Sequence, residues 1–116
     1  MATIRMRYEV EDYLDKKGRR PYTEWLFGLK DGVARSKLLA RVYRASWGNF
    51  GDWKPLTGTK GLFEMREHHG PGYRIYFTIV GQKIILLLSG SCKGEQARAI
   101  RKATEYLEDY RRRTQT

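Results

Sequence analysis

At 116 residues, with 41% apolar and 13% aromatic side chains, the chain suits one ordinary domain with its own core and is too apolar for a disordered segment. Lys and Arg number 23 against 13 Asp and Glu, and the formal net charge of +10 points to an acidic partner, nucleic acid first, with a solubility-tuned surface or an acidic protein as alternatives. The longest apolar run, Ile84 to Leu88, is far too short to span a bilayer, MATIRMRYEVEDY lacks the apolar core of a secretory leader, and a single Cys forms no internal disulfide, so a cytoplasmic protein without membrane association is expected.

Apolar residues at Ile4, Met6, Tyr8 and Val10 alternate with mostly charged ones, which predicts a half-buried strand. Pro21 suits the first position of a short helix in which Tyr22, Trp25, Leu26 and Leu29 recur at helical spacing up to Lys30. Asp31 can cap a second helix, ending before Gly48, with Ala34, Leu38, Val42 and Ala45 as its core stripe and Lys37, Arg41 and Arg44 on another face. Gly48 to Gly61, with four glycines and Pro55, reads as a loop.

Three strands follow, Gly61 to His68, Tyr73 to Val80 and Lys83 to Ser89, joined by HGPG and by a tight turn around Gly81. The last is apolar on both faces and belongs in the middle of the sheet. Ala97, Ile100, Ala103, Leu107 and Tyr110 mark a C-terminal helix ending in a frayed basic tail, Arg111 to Arg113. The order βααβββα predicts a single α+β domain over 1–116, an antiparallel sheet of about four strands with two N-terminal helices and a C-terminal helix.

Alternation sets Phe63 and Met65 on one strand face and Glu64, Arg66 and His68 on the other, taken as outward. On the next strand Arg74, Tyr76 and Thr78 oppose an apolar set. A shared core requires even positions to pair with even positions, because a one-residue slip flips a strand. With the turn centred on Gly70, Arg66 lies across from Arg74 and Glu64 across from Tyr76. Two guanidinium groups then converge where like charges repel, and an anion between them would relieve the repulsion. Their planar forks match phosphate oxygens and can stabilise charge that grows in a phosphodiester transition state. The alternative is that each arginine pairs with Glu64, Glu67 or Glu95 and merely covers the sheet.

His68, on the arginine face by parity, is a candidate acid or base, and His69, on the other face, a lesser one. Two histidines in an exposed turn are often just solvated. Lys93 follows a Gly90-Ser91 turn, from which its ammonium could reach the arginines. It could also be a plain solubilising residue beside a helix start. Lys54 and Lys60 border the glycine-containing loop and could position an RNA backbone. Trp25 fits the helix core, whereas Trp47 and Trp53 could be core residues or could stack on bases. One Cys and no His or carboxylate cluster at ligand spacing give no support for zinc, so no cofactor is expected.

The segments PYTEWLFGLKD, Arg41 through GNFGDWKPL, GLFEMREHHGPGYRIYF and ILLLSGSCKGEQ followed by the final helix resemble the RelE/ParE toxin superfamily, and within it the HigB-like addiction module killer protein group. The likeness spans nearly the whole chain, and GPGYRIYF preceded by FEMR is its most specific part. It implies helices packed on an antiparallel sheet and inhibition by a cognate antitoxin, usually a small helix-turn-helix DNA-binding protein. Many members cut mRNA, commonly on the translating ribosome, by attack of a 2′-hydroxyl on the adjacent phosphate, with basic residues in place of a histidine pair. By position, Arg66 matches a basic site residue, Arg74 the arginine that contacts the scissile phosphate, and Lys93 a basic position after the last strand. The chain departs from the group at Ser91-Cys92, where Gly-Asp is frequent, and at Ala99-Ile100, where Asp-Ile is. Tyr106 and Tyr110 lie too far along the helix to match a C-terminal catalytic tyrosine.

Three functions are compatible with these observations. The first is a metal-independent endoribonuclease using Arg66, Arg74 and Lys93, with His68 or Tyr76 in proton transfer and Lys37, Arg41, Arg44, Lys54 and Lys60 in RNA binding. The others are a ParE-like inhibitor of DNA gyrase and a noncatalytic nucleic-acid-binding domain.

Overall fold

The computed structural model describes residues 7–115. The elements are β1 (Glu9–Asp12), α1 (Pro21–Gly28), α2 (Gly32–Ser46), β2 (Trp53–Pro55), β3 (Phe63–Glu67), β4 (Tyr73–Val80), β5 (Ile84–Cys92), a 3₁₀ turn (Lys93–Glu95) and α3 (Gln96–Thr114). They form one α+β unit around a five-stranded sheet of order β1-β5-β4-β3-β2. As expected, β5 is an interior strand and α1 carries Pro at its start, although the middle strand is β4 and β5 lies between it and β1. The Asp31 carboxylate caps α2, accepting from Val33 and Ala34 N–H at 3.0 and 3.1 Å.

Four features correct the sequence reading. First, β1 pairs parallel with β5, Glu9 opposite Ile84, so the sheet is mixed rather than antiparallel. The period of two is the same in both strand arrangements, so alternation cannot distinguish them. The expected first strand, Ile4 to Val10, lies partly outside the described residues and begins later, at Glu9.

Second, the expected loop Gly48 to Gly61 contains an edge strand, β2, antiparallel to β3 with Lys54 opposite Glu64. Its Pro55 is tolerated because an edge strand needs no ladder on its outer side. Third, Gly90 and Ser91 form no turn but extend β5, opposite Ile75 and Arg74. Gly90 is required there by close approach, since a Cβ would collide with the Trp25 indole carbons. Fourth, Arg111 to Arg113 remain helical. Arg113 binds Asp109 through Nε at 2.9 Å, and Asp109 accepts from the Tyr13 hydroxyl at 2.5 Å, which fastens the end of α3 beside β1.

Both sheet faces are covered. On one side Tyr22, Leu26, Ala34, Leu38 and Ala45 of α1 and α2 pack on Met65, Ile75, Phe77, Ile85 and Leu87. On the other, Ala103 and Leu107 of α3 pack on Tyr76, Leu86 and Leu88. The face carrying Glu64, Arg66, Arg74 and Tyr76, expected to point outward, is therefore partly roofed by α3.

Candidate functional site

The observed β3–β4 register is the one required by parity, Arg66 opposite Arg74 and Glu64 opposite Tyr76. Two cross-strand rows result. One runs Lys54, Glu64, Tyr76, Ser89 across β2 to β5, and its neighbour runs Arg66, Arg74, Ser91. Adjacent rows on one sheet face bring their side chains together, and here they converge on a carboxylate.

Glu64 is that carboxylate, and its side chain is 0% exposed. Arg66 Nε and Arg74 Nη1 each lie 3.1 Å from its Oε1, and Lys54 Nζ lies 3.7 Å away. Gln96, the first residue of α3, donates to Oε2 at 3.3 Å. A buried carboxylate is tolerable only when ringed by such donors. One anion faces three cations, so the cluster keeps an excess of positive charge. The cation side chains rise from buried to open: Arg74 is 12% exposed, Arg66 30% and Lys54 48%. Arg74 Nε is buried and without a hydrogen-bond partner. The pairing of both arginines with Glu64 is the structural alternative weighed from sequence, yet one carboxylate cannot neutralise three cations or occupy all their donors.

Tyr76 is 0% exposed and its hydroxyl lies 3.0 Å from Ser91 Oγ. Burial raises its pKa above the ordinary phenol value. It is a protonated floor residue, closed off from proton exchange with a substrate in this conformation. His68 is different: its imidazole is exposed, with Nε2 2.6 Å from Asp52 Oδ2. That hydrogen bond, with help from the Arg66 charge, holds the Asp52 carboxyl below the usual range. The pair borders the cluster, because Arg66 N–H donates to the Asp52 carbonyl at 2.8 Å. His69 instead meets Asp31 at the start of α2, 3.0 Å away.

Lys93 is exposed in the 3₁₀ turn, and its N–H donates to the Gly72 carbonyl of the β3–β4 hairpin at 3.0 Å. Its backbone thus sits one residue beyond the Tyr73–Cys92 pair, at the arginine end of the sheet. Lys37 and Arg44 are exposed on α2, in the layer across the sheet from the cluster. Arg41, expected on that same exposed face, is buried, and its guanidinium donates to the carbonyls of Asp52 and Arg66 at 3.0 and 2.8 Å. It braces the backbone under the cluster. Lys60 is exposed beside the C-terminal half of α3, in a hollow shared with Leu107 and Arg111.

Sequence reasoning set Lys54 among the peripheral residues, and the structure brings it into the cluster. It did not identify Glu64, Gln96 or Asp52 as site residues. Parity alone had put Glu64 on the arginine face, but the burial that makes it the anchor comes from α3. Among the described residues no three His, Cys, Asp or Glu side chains lie together as a metal ligand set. No described helix is long and apolar enough to cross a membrane.

A scan of known family models matches none. A Haemophilus influenzae protein, described only as uncharacterized, is 38% identical over 82 residues, covering 71% of this chain and 81% of that protein. Among solved structures, a double arginine-to-alanine mutant of the E. coli toxin RelE in the free state superposes with a TM-score of 0.61 at 16% identity, covering 86% of this chain and 97% of RelE. The fold is RelE-like.

Proposed function

We propose, for a chain that belongs to one family with the H. influenzae protein and has the fold of RelE, that it is the toxin of a type II toxin–antitoxin pair and acts as an endoribonuclease on mRNA at the ribosome. The observation that carries this reading is the packing of Arg66, Arg74 and Lys54 around the buried Glu64 on a RelE-like sheet. Free RNA phosphates are the natural ligands for the donors that Glu64 leaves unused.

In this reaction the 2′-oxygen bonds to the adjacent phosphorus and the bond to the 5′-oxygen breaks. Charge growing on the phosphate oxygens is met by the guanidinium groups, which Glu64 keeps in place before substrate arrives; such preorganised donors supply much of a catalyst's power. Lys93 adds a cation at the hairpin end. His68, exposed and oriented by Asp52, exchanges protons with the attacking or leaving oxygen. Tyr76 keeps the floor rigid, while Lys60, Lys37 and Arg44 supply salt-sensitive attraction to RNA or ribosome. The cognate antitoxin of a HigB-like toxin would be a small helix-turn-helix DNA-binding protein, and the site in the cytoplasm follows from the target.

Induced expression in bacteria, with transcript ends mapped beside an assay of DNA supercoiling, tests the proposal. New mRNA ends with unchanged supercoiling are expected. Altered supercoiling with intact transcripts would instead select a gyrase inhibitor, and binding to RNA without new ends a noncatalytic domain.

A further inference from the structure

A second polar hollow lies on the opposite flank of α3, where the two cross-strand rows of the cluster end at Ser89 and Ser91. Pairing of β1 with β5 stops at Asp12 opposite Leu87, so Ser89 to Ser91 have no strand beyond them. The starts of α1 and α3 close over that open edge and enclose about 220 Å³. Ser89 and Ser91 form its floor, Trp25 and Tyr106 its aromatic walls, and Arg98 and Lys102 its rim. Glu95 is the one carboxylate in the lining, and Lys102 Nζ lies 3.7 Å from Glu105 Oε2, so Arg98 is the rim cation without an ion pair among the described residues.

Two details suggest a built site. Ser89 is 7% exposed, and its Oγ is buried without a hydrogen-bond partner, a state native proteins rarely leave unexplained. The missing side chain at Gly90 lets the Trp25 indole lie directly against β5, half-buried and fixed as a wall. The volume is below the roughly 300–1,000 Å³ of pockets that take larger organic ligands. Aromatic faces, an unpaired hydroxyl and two cations one helical turn apart are what a single base with its phosphate requires.

The hollow also adjoins the cluster. Ser91 is the register partner of Arg74 and its Oγ meets the Tyr76 hydroxyl. Gln96 touches Glu64 on one flank of α3, and Arg98, about 3 Å further along the axis, reaches the other.

The geometry points to this hollow as a subsite for one nucleotide of the RNA strand flanking the scissile phosphate, an inference that rests on the RNA reading above. The base packs against Trp25 and Tyr106 and accepts from or donates to Ser89 Oγ. Its phosphate lies on Arg98 and Lys102.

The test uses the full chain with Trp47→Phe and Trp53→Phe, so that Trp25 is the one tryptophan and is excited selectively over the tyrosines, and a short 2′-O-methylated oligoribonucleotide that binds but lacks the attacking hydroxyl. Quenching of Trp25 is expected, with affinity lowered roughly tenfold by Arg98→Ala/Lys102→Ala, the range of one lost base contact with its charge. The charge-matched control Lys30→Ala/Lys83→Ala should change affinity by about twofold or less, as remote screened charges do. Unquenched Trp25, no binding, or equal losses in the double variant and control would overturn the subsite. Both exchanges remove exposed side chains, and the two Trp→Phe exchanges leave an aromatic ring against Tyr43, Phe50 and Phe63, with urea midpoints of all variants near the parent's as the check on folding. Cleavage is read separately, on unmodified mRNA in translating ribosomes: its absence with the quench retained would refute the nuclease and leave the hollow as a nucleotide-binding site without a scissile phosphate beside it.

Discussion

Arg74 can be altered in two ways that separate its structural from its chemical part. It is 12% exposed and pairs with a carboxylate that has no water to fall back on. Truncation to Ala therefore weakens both Glu64 and any phosphate contact, unlike removal of an exposed arginine, which costs little. Lysine keeps the charge beside Glu64 and loses the fork. Arg74→Lys is expected to lower RNA cleavage by about 10²–10³-fold, the usual cost of one donor to a developing oxyanion. Its denaturant midpoint should stay near that of the parent, while Glu64→Ala should cost about 3–5 kcal/mol by leaving the cations without their buried partner. Wild-type cleavage by Arg74→Lys would remove this residue from the site. The same distinction applies to Arg41, whose charge looks like that of Arg44 in the sequence but serves two backbone carbonyls.

The β4–β5 hairpin shows how local rules act at the scale of an element. Its two central residues, Gly81 and Gln82, have φ of 60° and 62°, and Lys83 N–H closes the turn on the Val80 carbonyl at 3.1 Å. Glycine adopts that geometry freely, whereas a side chain there costs about 1–2 kcal/mol, less for Asn. Gln82→Asn is expected to stabilise the chain by about 0.5–1 kcal/mol in urea unfolding, with RNA cleavage unchanged because the turn is at the far end of β5 from Lys93. A drop in stability would contradict this account of the turn. By contrast, β2 has no local signature: three residues including a proline become a strand only because β3 offers an unpaired edge.

Over the whole molecule, acidic side chains fasten distant parts of the chain together. Asp31 joins the start of α2 to His69, Asp52 joins the β2 segment to His68, and Asp109 joins α3 to Tyr13. All three carboxyls sit below the ordinary aspartate value of 3.8: Asp31 chiefly through the Ala34 N–H, Asp52 through His68 and Asp109 through Tyr13. Asp109 in turn, after burial, helps push Tyr13 up to about 12. A carboxyl depressed by folding stabilises the native state above its unfolded pKa, and that contribution is lost as pH falls through the folded value. Asp12, raised by burial, acts in the opposite sense and favours folding in acid. With Glu24, which a hydrogen bond from Arg19 also holds down, four groups outweigh one, so urea midpoints should be level from pH 7 to about 5 and fall below about pH 4. A midpoint unchanged at pH 3 would show that these contacts do not hold the molecule together.

The sequence by itself determined the α+β class, the limits of β4, the cap of α2 and the facing of Arg66 and Arg74, because alternation and turn chemistry act within an element or between neighbours. The excess of basic residues was equally plain. Tertiary structure decided that β1 runs parallel to β5, that Lys54 arrives on an edge strand, that Arg41 turns inward and that α3 roofs the arginine face. That roof makes Glu64 the buried anchor of the cluster. Periodicity states which side chains share a face, but what covers the face depends on contacts between residues far apart in the chain, and no local pattern records them.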